Sequence, residues 1–338
     1  MKFSVQLPTC TEGLVNPIPF ARPEEFVTLA RDAERLGYDG LFGNDHITPA
    51  PYVRKEFPDP PNFYEVLITL ATVGAHTKTI RLGTAVIMVP VRDPVLLAKQ
   101  VATLDRLTGG RLTLAVGIGA YREEFIANCP RLGRARRGDL LDESLAALRI
   151  LFTERDASFE GEHIAFRDIA MRPKPVQDPF PIYVGGHNTD VIRRAAKHGQ
   201  GWLPGWRPFE EIKERVALLR KFTEEAGREP SEVEAAVQLT LFLGKTLEGA
   251  RAGYGRTGMV AHRKSLAHSG RDPALAMTNN LIGSPASVLE QLAFLDEAGV
   301  DQITAIQFPS HTVEEMREQM AWFAEAVIAP FRGGSRVG

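Results

Sequence analysis

Short apolar runs alternate along this chain with longer amphipathic segments, and this alternation limits the possible folds most strongly. Runs typical of buried strands cover residues 3–7, 40–43, 80–89, 111–119, 181–186, 234–243 and 302–308. Apolar residues three and four apart, typical of helices, recur at residues 23–37, 94–107, 140–152 and 288–299. Strands that alternate with helices of this length form βαβ units on a mainly parallel sheet.

A weaker run at residues 201–203 brings the number of strands to eight. Eight βα units close a TIM barrel, and we prefer this α/β fold to a doubly wound open sheet. Two segments interrupt the alternation. Residues 159–175 alternate like a hairpin, and residues 245–280 are rich in Arg, Gly and His without a clear strand. We predict one (β/α)8 domain over residues 1–338 with these segments as insertions.

Composition excludes several classes of partner. The 40 basic and 42 acidic side chains nearly balance, so no strong field favours nucleic acid or an anionic membrane. Cys10 and Cys129 are the only cysteines and show no metal-ligand spacing, so we expect neither a disulfide framework nor a metal site. No apolar run approaches the roughly 20 residues that span a bilayer. With no signal-like N-terminal segment, we expect a cytoplasmic protein.

Asn44, Asp45 and His46 follow the second predicted strand directly. In a parallel barrel the loops at the carboxyl ends of the strands form the active-site face. His46 could exchange a proton near neutral pH there, and Asp45 could orient it. The alternative is that Asp45 caps the next turn and His46 bonds a backbone carbonyl.

Small residues stand at two further strand ends. Thr84 and Ala85 precede the β-branched Val86, which would let a planar ligand lie against the backbone, although Ala85 could simply fit a tight barrel interior. Gly117 and Gly119 lack the third glycine of a dinucleotide fingerprint. We therefore interpret these two glycines as clearing room for a ligand at the barrel mouth.

A glycine-led turn after the fifth strand is the best candidate for an anion site. Backbone N–H groups at a helix start favour negative charge, and glycine lets a phosphate approach. The alternative is that Thr189 is an ordinary N-cap and that the glycines relieve strain. Arg137 could add a counter-charge from a neighbouring loop. The turn contains Gly185, Gly186, His187, Asn188 and Thr189.

Taken in order, these stretches resemble the bacterial luciferase-like monooxygenase family, whose members are flavin and deazaflavin enzymes on a TIM barrel. The resemblance is carried by residues 33–46, 77–119, 173–204 and 281–303, and the second block is the most detailed. The most similar subgroup is that of the deazaflavin (coenzyme F420)-dependent oxidoreductases.

The resemblance implies a set of roles in cofactor binding. His46 would lie near the reactive face of the ring with Asp45 beside it, and Asn44, Gly117 and Gly119 would line the ring. A non-prolyl cis peptide at Ala85–Val86 would support the ring from behind. The Gly185–Asn188 segment would bind the phosphate.

Two positions depart from the family pattern. Ile118 stands where the luciferase α chain has an arginine, so light-emitting chemistry is not expected. Ala120 stands where the deazaflavin sugar-phosphate dehydrogenases have a glutamate, the general acid, so oxidation of glucose 6-phosphate is not expected either.

We therefore predict an oxidoreductase that uses reduced FMN, supplied by a separate flavin reductase, and dioxygen to oxygenate a small organic substrate. Residues 245–280 would close over the site. One alternative is hydride transfer with coenzyme F420, and another, from a different class, is a flavin-binding protein without turnover. The resemblance also implies a homodimer.

Overall fold

Parallel strands close on themselves into the predicted barrel. The computed structural model describes residues 1–49, 54–55, 59–265 and 277–334. Its strands are β1 (Lys2–Leu7), β2 (Gly40–Gly43), β3 (Arg81–Thr84), β4 (Ile87–Met88), β5 (Leu112–Gly117), β6 (Ala157–Glu160), β7 (Ala165–Ile169), β8 (Ile182–Gly185), β9 (Gly201–Leu203), β10 (Glu234–Val237), β11 (Leu241–Leu243), β12 (Leu281–Gly283) and β13 (Gln302–Ile306). The order around the barrel is β1, β2, β3 continued by β4, β5, β8, β9, β10 and β13, and β13 pairs with β1.

Helices follow the barrel strands and cover them. They span Pro23–Arg35, Val66–Ala75, Pro94–Leu107, Arg122–Asn128, Arg137–Thr153, Thr189–His198, Phe209–Glu225, Leu247–Tyr254, Gly258–Ser265, Pro285–Glu297, Val313–Phe323 and Ala329–Gly334. Proline begins three of them, where its missing N–H costs no helical bond. In the part of the chain that the structure describes, no helix is both long and apolar enough to cross a membrane.

Two predicted strands are each split in the structure. The run at residues 80–89 divides into β3 and β4, separated by the Ala85–Val86 peptide, which is cis. The run at residues 234–243 divides into β10, which belongs to the barrel, and β11, which pairs with β12. The N–H of Thr240 donates to Asn280 Oδ1 at 2.8 Å, so the chain leaves the barrel there and joins the later segment.

The two predicted insertions differ in structure. β6 and β7 form an antiparallel hairpin over residues 157–169, which begins two residues before the segment 159–175 where a hairpin was expected. The segment at residues 245–280 contains the helices Leu247–Tyr254 and Gly258–Ser265, and its residues 266–276 lie outside the described part of the chain.

Polar side chains from the first residues of several strands close the amino end of the barrel. Tyr183 Oη donates to Glu234 Oε2 at 2.5 Å, and Gln302 Nε2 donates to Tyr183 Oη at 3.1 Å. Lys2 Nζ donates to the other oxygen of Glu234 at 2.6 Å. Because these side chains close the amino end, we expect a ligand to enter the barrel at its carboxyl end.

Glu34, near the end of the helix Pro23–Arg35, holds the segment that leads into β3. Its Oε1 accepts the backbone N–H groups of Lys78, Thr79 and Ile80 at 2.8, 2.7 and 3.0 Å. Burial acts to raise the pKa of this carboxyl, but the bonds to the backbone outweigh it and lower the pKa to about 2.

We expect Glu34→Gln to lower the free energy of unfolding at pH 7 by about 1–2 kcal/mol, because a charge-assisted acceptor becomes a neutral one. The folded-state pKa of Glu34 lies below its ordinary value of 4.5. Its contribution is therefore complete above that value and is lost as the pH falls towards about 2. Urea unfolding at a series of pH values should show a shallower acid dependence for the variant. Glu297→Gln, at an exposed position, is the control, and equal losses in both variants would contradict the prediction.

Candidate functional site

A cavity of about 200 Å³ opens at the carboxyl end of the barrel. Six of the predicted site residues line it, namely Asn44, Asp45, His46, Ala85, Val86 and Gly119. The remaining lining, within the described residues, consists of Gln6, Cys10, Thr11, Leu14, Val15, Met88, Ala120, Tyr121, Gln238, Met259, His262 and Gln307. The segments that follow β1, β2, β3, β5, β10, β11 and β13 therefore share one space.

His46 is held by a buried carboxylate that the sequence did not reveal. Its Nδ1 lies 2.8 Å from Glu124 Oε2, and the Glu124 side chain is only 1% exposed. Glu124 Oε1 also accepts the N–H of Ile47 at 2.6 Å, so this carboxylate fixes both the ring and the loop that carries it. With Nδ1–H donating to Glu124, the Nε2 atom of neutral His46 is a proton acceptor.

The prediction that Asp45 orients His46 is wrong, because both carboxylate oxygens of Asp45 bond elsewhere. Oδ2 accepts the backbone N–H of Met88 at 2.9 Å, and Oδ1 accepts from Arg92 Nη2 at 2.7 Å. The Asp45 side chain is 1% exposed, so its charge is buried against Arg92. Asp45 therefore connects the loop after β2 to β4, the strand that follows the cis peptide in the chain.

Asn44 shapes the cavity through the loop after β1. Its Oδ1 accepts from Thr9 Oγ1 at 2.8 Å and from the N–H of Cys10 at 3.2 Å. Its Nδ2 donates to the carbonyl of Cys10 at 3.0 Å. The side-chain amide thus fixes the loop that carries Cys10 and Thr11 into the cavity wall.

The predicted cis peptide at Ala85–Val86 is present, and two glycines make room for its Val86 side chain. A Cβ added at Gly117 would lie 2.6 Å from Val86 Cγ2, and one added at Gly185 would lie 2.5 Å from Val86 Cγ1. Gly117 therefore clears room for Val86, not for a ligand as predicted, and Gly117 does not line the cavity.

Thr84 and Arg137 act on the backbone around the cavity instead of lining it. Thr84 is fully buried, and its hydroxyl donates to the carbonyl of Ala115 at 2.7 Å, joining β3 to β5. Arg137 Nη1 donates to the carbonyl of Gly119 at 2.8 Å and to that of Ile118 at 3.2 Å. Its role as a phosphate counter-charge stays a prediction.

The predicted phosphate turn lies beside the cavity, next to Val86. Gly186 has φ +136°, a conformation that favours glycine, and its carbonyl accepts from Trp202 Nε1 at 3.0 Å. The N-cap is Asn188, not Thr189, since Asn188 Oδ1 accepts the N–H of Val191 at 2.9 Å. The N–H groups of Thr189 and Asp190 in the first turn have no acceptor within the helix, so they can serve an anion.

Cys10 is not suited to nucleophilic catalysis. Its Sγ lies 3.6 Å from the carbonyl oxygen of Asn44 and 3.7 Å from that of His46. Burial raises the pKa of the thiol to about 12, so it remains protonated at neutral pH. Among the described residues, no group of three His, Cys, Asp or Glu side chains could hold a metal ion. Proton exchange at His46 is therefore one chemistry that this site offers directly.

Comparison with known proteins places these features in one family. A sequence profile of the luciferase-like monooxygenase family matches residues 1–329. An uncharacterised protein of Mycobacterium tuberculosis is 34% identical over 214 residues, covering 60% of this chain and 73% of the relative. An F420-dependent glucose-6-phosphate dehydrogenase of Kineococcus radiotolerans is 27% identical over 255 residues, covering 73% of both chains. The crystal structure of monooxygenase RslO1 from Streptomyces bottropensis has a TM-score of 0.78 at 24% identity, covering 98% of this chain and 100% of that chain.

We expect Gly117→Ala to destabilise the chain by about 2–3 kcal/mol, because the new methyl group would overlap Val86. Val86→Ala removes the overlapping atoms, so the double variant should be more stable than the sum of the single losses predicts. Urea unfolding of the four chains measures this coupling. Gly333→Ala, where a Cβ meets nothing within 4 Å, is the control. Strictly additive losses would contradict the packing role of Gly117.

Proposed function

Because the chain belongs to the luciferase-like monooxygenase family, we propose that it is an oxidoreductase that transfers a hydride between coenzyme F420 and a small organic substrate. Family membership makes the chain an oxidoreductase, and enzymes of this family use F420 or FMN. That the cofactor is the deazaflavin F420 and that the reaction is hydride transfer are our proposals. They replace the use of FMN and dioxygen that we predicted from the sequence.

The His46–Glu124 pair is the observation that carries this proposal. When a carbon that bears a hydroxyl group loses a hydride, the hydroxyl must also lose a proton. His46 lines the cavity with Nδ1 bonded to a buried carboxylate at 2.8 Å, which leaves Nε2 to take that proton. The negative charge of Glu124 then stabilises the imidazolium. In the reverse direction the same nitrogen returns the proton to a carbonyl oxygen.

The residues around the cavity fit a flavin-type cofactor. Ala85, Val86 and Gly119 give one wall of small and apolar groups for a ring, and Asn44 continues this wall. The helix that starts at Thr189 offers unused N–H groups for a phosphate. When bound, F420 would supply the hydride acceptor or donor. The named F420-dependent relative supports the deazaflavin over FMN.

The FMN alternative uses the same wall and the same phosphate turn, so the two readings differ in cofactor preference. We expect titration of the purified chain, followed by fluorescence, to give a dissociation constant at least about 100-fold lower for F420 than for FMN. Riboflavin, which lacks the phosphate, should bind more weakly than FMN if the Gly185–Thr189 turn holds that group. Tight binding of FMN together with undetectable binding of F420 would contradict the proposal. The flavin reductase and the homodimer stay predictions.

We expect Glu124→Gln to alter the tautomer of His46, because the amide that replaces the carboxylate can donate to Nδ1 as well as accept from it. The imidazole ¹⁵N shifts of histidine-labelled chain report the tautomer, and His46→Ala identifies the resonances. F420-linked oxidation of cyclohexanol, or of the best member of a secondary-alcohol panel, should fall about 10- to 100-fold in kcat.

The control for this variant is Glu123→Gln, the same change at the exposed neighbouring position. It should leave both the tautomer and kcat unchanged. If Glu124→Gln behaves like this control, Glu124 does not position His46. If His46→Ala turns over normally, His46 is not the proton acceptor.

A further inference from the structure

The cavity has a second wall that the proposed cofactor and His46 do not use. Gln6 lies at the end of β1, Gln238 follows β10 and Gln307 follows β13. These three strands are neighbours, and β10 lies across the eight-stranded ring from β3, which leads into the Ala85–Val86 peptide. The cavity therefore has a cofactor wall of small residues and, facing it, a wall rich in side-chain amides.

Two buried polar atoms on this second wall have no hydrogen-bond partner. Gln6 is 3% exposed and Thr11 is 4% exposed, and both line the cavity. The oxygen of the Gln6 amide, Oε1, accepts from Gln238 Nε2 at 3.3 Å. Its nitrogen, Nε2, has no acceptor. Thr11 Oγ1 is likewise unpartnered. A buried donor without an acceptor costs about 1–3 kcal/mol, so a ligand oxygen that reached these atoms would relieve that cost. Gln6 and Thr11 also line a smaller cavity of about 10 Å³.

Apolar side chains line the cavity beside these polar ones. They are Leu14, Val15 and Met259, and Met259 belongs to the helix Gly258–Ser265 of the insertion, which also brings His262 to the cavity. This helix packs closely on the loop after β1, since a Cβ at Gly258 would lie 2.7 Å from the carbonyl oxygen of Val15. No lysine or arginine lines the cavity within the described residues, so an anionic substrate would meet no permanent positive charge there.

We propose that Gln6 and Thr11 form a substrate subsite for the oxygen of an uncharged carbonyl or ether group that does not react. The substrate would be a small, uncharged molecule with two oxygens, whose reacting hydroxyl or carbonyl meets His46 and whose second oxygen accepts from Gln6 Nε2 and Thr11 Oγ1. The apolar side chains would enclose the carbon skeleton between them. This inference rests on the proposed function, which assigns the reacting oxygen to His46.

Three probes test the subsite by NMR titration of the chain with and without F420. 4-Hydroxycyclohexanone has a second oxygen, 4-methylcyclohexanol has a methyl group at that position, and glucose 6-phosphate is charged. We expect the hydroxyketone to bind about 10-fold more tightly than the methyl compound, which corresponds to about 1.4 kcal/mol. We expect glucose 6-phosphate not to bind when F420 occupies the site. Gln6→Leu and Thr11→Val should each remove most of this preference without changing the affinity for 4-methylcyclohexanol.

Thr304→Val is the matched control. Thr304 is fully buried with an unpartnered hydroxyl, like Thr11, but it does not line the cavity, so its replacement should leave all probe affinities unchanged. The dissociation constant for F420 should be equal in every variant, which also shows that each variant is folded.

Each outcome separates the two proposals. Absence of the hydroxyketone preference, or its survival in both Gln6→Leu and Thr11→Val, would overturn the subsite. A water that bridges Gln6 and Thr11 and stays when the probe binds, seen in a crystal structure of the complex, would overturn it as well. Failure to bind F420 would overturn the proposed function instead, because the probe preference is also measured without cofactor.

Discussion

The contact of Val86 with two glycines is the constraint on which the cavity depends. The Val86 side chain occupies the space that Cβ atoms at Gly117 and Gly185 would fill. This one side chain therefore packs against the ends of both β5 and β8. Asp45 holds the next segment in place through the N–H of Met88. The ends of β3, β5 and β8 and the loop after β2 thus meet around Val86. The cofactor wall of small residues follows from that packing.

Two adjacent residues, Asp45 and His46, have separate tasks. Asp45 forms a buried ion pair with Arg92 and supports the backbone behind the cis peptide. His46 is bonded to Glu124, which lies on the helix Arg122–Asn128 after β5. Because Asp45 is paired with Arg92, its charge is neutralised there, and the carboxylate that can stabilise a protonated His46 is supplied by this helix.

The eight strands and the helices that start at proline could be predicted from local patterns, because each depends on residues close in sequence. The cis peptide was implied by the resemblance to the family and not by any local pattern. Glu124 could not, since it meets His46 across 78 positions and only the packing of the Arg122–Asn128 helix buries it. The partner of Asp45, 47 positions away, was hidden for the same reason. The split of residues 234–243 depends on Asn280, and apolar periodicity carries no sign of that side-chain bond.

The close approach of Gly258 to the loop after β1 couples the packing of two segments that are distant in sequence. The helix Gly258–Ser265 rests on the backbone at Val15, and the same loop carries Thr11 into the cavity. A larger residue at position 258 would push the helix outward and widen the apolar wall. A change of shape in either of these two segments therefore requires a matching change in the other.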